Sequence, residues 1–152
     1  MSESENQAPQ IDFVIQKIYM KDMSFEAPNS PEIFKNDWTP EANIDLNTAT
    51  ETLDNDIYEV NLTVTVTAKS DQKTAFLVEV KQTGIFTVTG AADEQMAHIL
   101  GSYCPSILFP YAREAIASLV FRGGFPELNM APINFDALYA QSQTQQAAEN
   151  VQ

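Results

Sequence analysis

The 152-residue chain has one cysteine, one histidine and five glycines, and each scarcity removes a class of function. A lone cysteine cannot close an intrachain disulfide. Cys104 and His98 together fall short of the several thiolates or imidazoles that a zinc site draws on. With so few glycines there is little room for a phosphate cradle, and neither G-x-x-x-x-G-K-[ST] nor G-x-G-x-x-G occurs. Bases are few as well. The 8 Lys+Arg stand against 21 Asp+Glu, a formal charge of -13, so a nucleic acid backbone would meet net repulsion. No apolar run approaches the roughly 18 residues of a membrane span. The opening MSESENQAPQ has neither the basic start nor the apolar stretch of a secretory signal. The expectation is a soluble, folded, single domain in a reducing cytoplasm, with no cofactor, no nucleic acid partner and no direct membrane insertion.

What is present is 44% hydrophobic residues and an uneven charge. Residues 1–60 hold 13 acids and 3 bases, and the remainder holds 8 acids and 5 bases, so the front half carries the field. Scattered carboxylates usually only solvate a surface, and the direction in which they point decides whether they do more.

Four strands are predicted. The first runs from Ile11 to Glu26. Phe13, Ile15, Tyr19, Met23 and Phe25 share one parity and Val14, Ile18 and Met20 the other, which ends in Asp22, Ser24 and Glu26. This pattern predicts a strand covered on both faces at its start and on one at its end. Residues 27–43 contain Pro28, Pro31 and Pro40, which argue against a regular element there. The same loop carries Ile33, Phe34 and Trp38, suited either to a clamp over the core or to one wall of a binding surface. Asn43 to Asn47 reads as a short strand. Ile57 to Ala68 is the clearest, with Tyr58, Val60, Leu62, Val64 and Val66 alternating with polar residues. From Thr74 to about Thr89, Phe76, Val78 and Val80 oppose Ala75, Leu77, Glu79 and Lys81, and Gly84 offers a place for a bulge.

After Gly90 the period becomes helical. Asp93 and Glu94 suit the start of a short helix ending near Gly101. Pro105 opens a second helix to Arg122, with Pro110 expected to kink or delay it and Gly123-Gly124 to stop it. That helix has too many apolar positions for one stripe, which suggests a subunit interface. Asn134 caps a last helix carrying Phe135, Leu138 and Tyr139. Residues 1–10 and about 141–152 lack apolar residues to dock with and are expected to be flexible. The fold class is therefore α+β: a four-stranded antiparallel sheet, a short helix, a long interface helix and a C-terminal helix.

Catalysis has weak support. Cys104 and His98, six positions apart, could in principle be nucleophile and base, but a single cysteine and a single histidine among apolar residues are ordinarily packing residues. Many carboxylate pairs can be drawn from 21 acids, and no spacing singles one out. No catalytic residue and no enzyme is expected.

Several long segments, in order, resemble the bacterial export chaperone family SecB. They are IYMKDMSFEAPNSPEIF, the W-T-P at Trp38 to Pro40, GIFTVTG, SYCPSILFPYAREAIASLV and GGFPELNMAPINFDALY. The likeness spans Ile11 to Tyr139. It implies a cytosolic holdase that keeps unfolded precursor proteins export-competent without ATP, passes them to the SecA ATPase and assembles as a homotetramer, a dimer of dimers with the long helix between subunits. It implies SecA contacts at Asp22, Glu26, Leu77 and Glu79, which strand parity independently puts on one exposed face. It also implies a client groove, to which the matching segments offer Phe34, Trp38, Phe125, Ile133, Phe135, Leu138 and Tyr139.

Overall fold

A computed structural model describes residues 10–149, so all but the last residue of the head expected to be flexible, and positions 150–152, lie outside the described part. The strands are β1 (Asp12–Glu26), β2 (Pro40–Asp54), β3 (Ile57–Ser70) and β4 (Lys73–Thr89), in one antiparallel sheet of order β1-β4-β3-β2. The chain leaves β1 at one edge and crosses by the proline-rich loop, which holds a single 3-10 turn at Glu32–Lys35. It enters β2 at the far edge and meanders back. Both hairpins are two-residue loops. Asp71-Gln72 has positive φ at both residues, the geometry that matches strand twist, whereas Asn55-Asp56 has it at Asp56 only, next to a register irregularity between Thr52 and Asp54.

The four strands and the α+β class agree with the sequence reading, and several details correct it. Strand β2 is three times the expected length, because after Leu46 its inner positions are Thr48, Thr50 and Thr52, which suit a strand but carry no apolar alternation. Gly84 is not a bulge. It pairs in register with Ile18 and Val60, and its missing side chain admits the Phe86 ring, which would lie 2.6 Å from a Cβ. The bulges are elsewhere. Breaks between Ile15 and Lys17 and between Met20 and Asp22 each insert one residue into β1. Ile18 and Met20 thereby join Phe13, Met23 and Phe25 on the helix-facing side, while Tyr19 turns to the outer face, against the simple alternation. The second bulge restores the original parity, so Asp22 and Glu26 still point outward. Val14 and Ile15 are 48% and 44% exposed, so among the described residues nothing supplies the double cover expected at the start of β1.

One nearly continuous helical run covers the inner face: α1 (Asp93–His98), a π-turn (Ile99–Tyr103) and α2 (Cys104–Arg122). The expected break at Gly101 is instead this π-turn, which leads into the proline at the second position of α2. Cys104, Leu108, Ala112, Ile116 and Val120, four apart, are all fully buried against β3 and β4. Gly124, with φ +86, closes α2 as its amide bonds to the Phe121 carbonyl and the Phe125 amide bonds to that of Val120. Helix α3 (Phe135–Glu149) is capped by Asn134, whose Oδ1 accepts from the Ala137 amide at 3.0 Å. It extends well past Gln141, where the apolar residues stop.

Candidate functional site

Two surfaces collect the residues singled out in the sequence. The first is the outer face of the sheet. Glu26 pairs with Leu77, Ser24 with Glu79 and Asp22 with Lys81 across β1 and β4, so all four expected contact residues share one patch. Asp22, Glu26 and Glu79 are exposed and Leu77 is half-buried. Glu79 accepts a hydrogen bond from the Thr65 hydroxyl at 2.9 Å. Among the described residues none of the three carboxylates is in an ion pair, although Lys81 lies at the patch edge. Sequence reasoning missed Asp45, which stands opposite Thr65 and hence in the same row as Glu79. Its alternation with Ile44 and Leu46 was the available signal.

Toward the other end of that face, Glu59 is buried and fully partnered. Tyr19 donates its hydroxyl proton at 2.5 Å, Lys21 its ammonium at 2.7 Å and Asn61 its amide at 3.0 Å. The Lys21, Tyr19 and Asn61 hydrogen bonds lower the Glu59 carboxyl from 4.5 to about 2. Burial, reinforced by Glu59, raises Tyr19 to about 12. This network ties the second β1 bulge to the sheet. A folded pKa below the unfolded one gives stability that is complete above about 4.5 and is lost as pH falls toward 2. The melting temperature should therefore drop across that window. Glu59→Gln should flatten the drop and lower stability at neutral pH by about 1–3 kcal/mol, read by thermal unfolding at a series of pH values.

The second surface has two parts, an aromatic cluster and a groove whose apolar walls are interleaved with polar residues such as Asp45, Asn47 and Gln141. Phe125 is buried at the centre of an aromatic cluster, with Phe34, Trp38 and Phe76 ring centroids at 5.1, 5.6 and 5.1 Å. Phe34 is 51% exposed there and Trp38 is half-buried. Phe135 is buried edge-on to Phe109 at 5.7 Å. Beside it a groove of about 570 Å³ opens between β2 and α3, walled by Ile44 and Leu46 on one side and Leu138 and Tyr139 on the other. The seven expected groove residues thus divide into an aromatic cluster (Phe34, Trp38, Phe125) and an α3 group (Phe135, Leu138, Tyr139), with half-buried Ile133 in the connection before α3. Phe125 and Phe135 are floor, not open surface. Ile44 and Leu46 were missed, because the short predicted strand gave no reason to set them facing α3.

Cys104 is fully buried, and burial raises its thiol to about 12, which suppresses the thiolate a nucleophile needs. His98 is bonded instead to Asp136, with Nε2 and Oδ1 2.8 Å apart. The pair considered as nucleophile and base is not assembled. Among the described residues no helix is long and apolar enough to cross a membrane.

Residues 5–146 match the family described as Preprotein translocase subunit SecB. Among solved structures, the Mycobacterium tuberculosis SecB-like chaperone Rv1957, in complex with a ChAD peptide from the Rv1956 HigA1 antitoxin, aligns with a TM-score of 0.66. The two are 13% identical over 80% of this chain and 90% of that one. A protein of unknown function from Streptococcus agalactiae aligns with a TM-score of 0.46, at 9% identity over 80% of this chain and 98% of that one.

Proposed function

Since this chain belongs to the SecB family of preprotein translocase subunits, a chaperone family, we propose that it is an ATP-independent cytoplasmic holdase. It binds unfolded precursor proteins on its apolar surface and delivers them to SecA through the outer face of its sheet. The observation that carries client binding is the open aromatic cluster, in which Phe34 stands 51% exposed over Phe125 beside Trp38. A surface of this kind offers stacking and apolar contact to extended chain of many sequences. The peptide held by the Mycobacterium tuberculosis relative is consistent with such a use. The formal charge of -13 favours unfolded segments of basic character.

SecA docking is supported by the carboxylates Asp22, Glu26 and Glu79 around Leu77, which are in no ion pair among the described residues. A basic partner segment would gain encounter rate from them and lose it with salt. A homotetramer, as a dimer of dimers, is supported by apolar residues of the π-turn, α2 and β1 that the described residues leave uncovered: Tyr103, Tyr111 and Phe121, which are 50%, 51% and 76% exposed, and Ile15. Repeating the groove in four copies adds avidity when one long client spans several sites. Release needs no nucleotide, because folding or translocation of the client removes the segments that bind.

The reading is tested by light scattering from a diluted, unfolded precursor. Stoichiometric chaperone without nucleotide should suppress aggregation, and addition of ATP should change nothing. Unabated aggregation at a severalfold molar excess would contradict the proposal.

A further inference from the structure

The inner row of β3 runs Val60, Leu62, Val64, Val66 and Ala68, all buried, and ends in a residue of another kind, Ser70, which is 2% exposed. A hydroxyl withdrawn from water needs partners within the protein. Ser70 finds them in the crossover loop. Its Oγ accepts from the Thr39 amide at 3.0 Å and donates to the Asp37 carbonyl at 3.3 Å, and the Thr39 hydroxyl stands 3.5 Å away. The two bonds reach the backbone on either side of Trp38. Among the described residues, no backbone-to-backbone bond outside helices and strands holds positions 36–39.

The Trp38 indole rests on Phe125, with centroids 5.6 Å apart, and is half-buried. That contact alone leaves the ring free to slide, because apolar packing has no direction. The Ser70 hydroxyl supplies direction by fixing the main chain from which the ring projects. The start of the loop is tied down independently. Ile33 is buried, and Asn29 Nδ2 donates to the Thr74 carbonyl at 2.8 Å. Losing the Ser70 hydroxyl therefore loosens the Trp38 end of the loop and leaves the Phe34 end in place. Asp37 and Thr39 are exposed, so water takes up their freed groups and the loss stays local. A side chain already fixed binds without the cost of being ordered at that moment.

We propose that Ser70 is a positioning residue for client binding. Closed to solvent, it offers a client no surface, and its hydroxyl holds Trp38 as a preformed wall of the aromatic cluster. The inference rests on the reading of that cluster as a client site. The placement of Trp38 is nevertheless measurable without any client, since it is the one tryptophan of the chain.

The test compares the full-length chain with Ser70→Ala, Ser70→Thr and Glu59→Gln. Alanine fits the row, as buried Ala68 shows, and threonine keeps the hydroxyl. Glu59→Gln lowers stability through the outer network and leaves Trp38 alone. The readings are tryptophan emission with acrylamide quenching, exchange of the Thr39 amide, and affinity for a reduced, carboxymethylated, permanently unfolded protein. In Ser70→Ala the emission should shift to the red and quenching should rise. The Thr39 amide should exchange about three- to tenfold faster and client affinity should fall about threefold or more, the scale of one hydrogen bond. Ser70→Thr should return all of these towards wild type, and Glu59→Gln should alter none. Unchanged emission and Thr39 exchange in Ser70→Ala overturn the positioning role. A loosened Trp38 with unchanged affinity overturns its bearing on client binding. So does an equal loss of affinity in Glu59→Gln, which would make stability the cause. Failure of threonine to restore emission and exchange overturns the part given to the hydroxyl. A wild-type chain that captures no unfolded protein at any concentration fails the client reading instead, and emission and exchange alone then decide the placement of Trp38.

Discussion

Lysine at both Glu26 and Glu79 is expected to weaken SecA docking at least about tenfold at low salt, while capture of unfolded chain is unchanged. The two side chains lie on adjacent strands of one face, Glu26 opposite Leu77 and Glu79 opposite Ser24. Reversal therefore inverts the sign of a continuous patch and does not merely dilute the net charge. Each exposed charge contact is worth about 0.2–1 kcal/mol, but reversal replaces attraction by repulsion at two positions, and about 1.4 kcal/mol is tenfold in affinity. The gap between wild type and variant should narrow as salt is raised to several times the physiological level, because screening acts on exposed charges. Reversing Asp93 and Glu94 together, both exposed at the start of α1, is the control matched in net charge and should cost much less. Equal losses from the two reversals would mean that the patch has no special place in docking. Affinity by calorimetry at two salt concentrations reads all of these outcomes.

The second large effect is expected at the aromatic cluster. Phe34→Ser together with Trp38→Ala should reduce affinity for an unfolded precursor by about tenfold or more, with SecA docking preserved. Aromatic contacts at the centre of a binding surface commonly cost 1–2 kcal/mol or more when truncated, and here two are removed. The single variants separate binding from folding. Phe34 is half open to solvent and its loss should barely move the melting temperature, whereas Trp38 packs against Phe125 and its loss should lower it. Reduced capture by Phe34→Ser at unchanged stability is the informative result. If only the destabilised variant loses capture, the cluster is core and the client binds elsewhere.

Strands whose inner positions are apolar were legible in the sequence. β3 declares itself through Val60, Leu62, Val64 and Val66, and all four are fully buried. β2 was legible only in its middle, since threonine carries strand preference without marking a face. The bulges at Gln16 and Lys21 were invisible, because an inserted residue reverses parity while leaving composition untouched. Only the register with β4 reveals that Tyr19 faces outward to bond Glu59. The outer patch survived this because two reversals cancel. The apolar surface was legible as residues but not as an arrangement. Phe125 and Ile44 acquire their places from the crossover loop and from α3, and contacts between distant segments leave no local period to read. The same holds for Thr39 and Ser70, 31 positions apart.

The central claim is that unfolded chain and SecA are received by different faces of one molecule, the first without nucleotide. Photo-cross-linking from position 34 and from position 79, each in the full-length protein, tests it most directly. An unfolded precursor should form adducts from position 34 and few from position 79, and SecA should show the reverse. Precursor adducts confined to position 79, or equally abundant at both, would contradict the account.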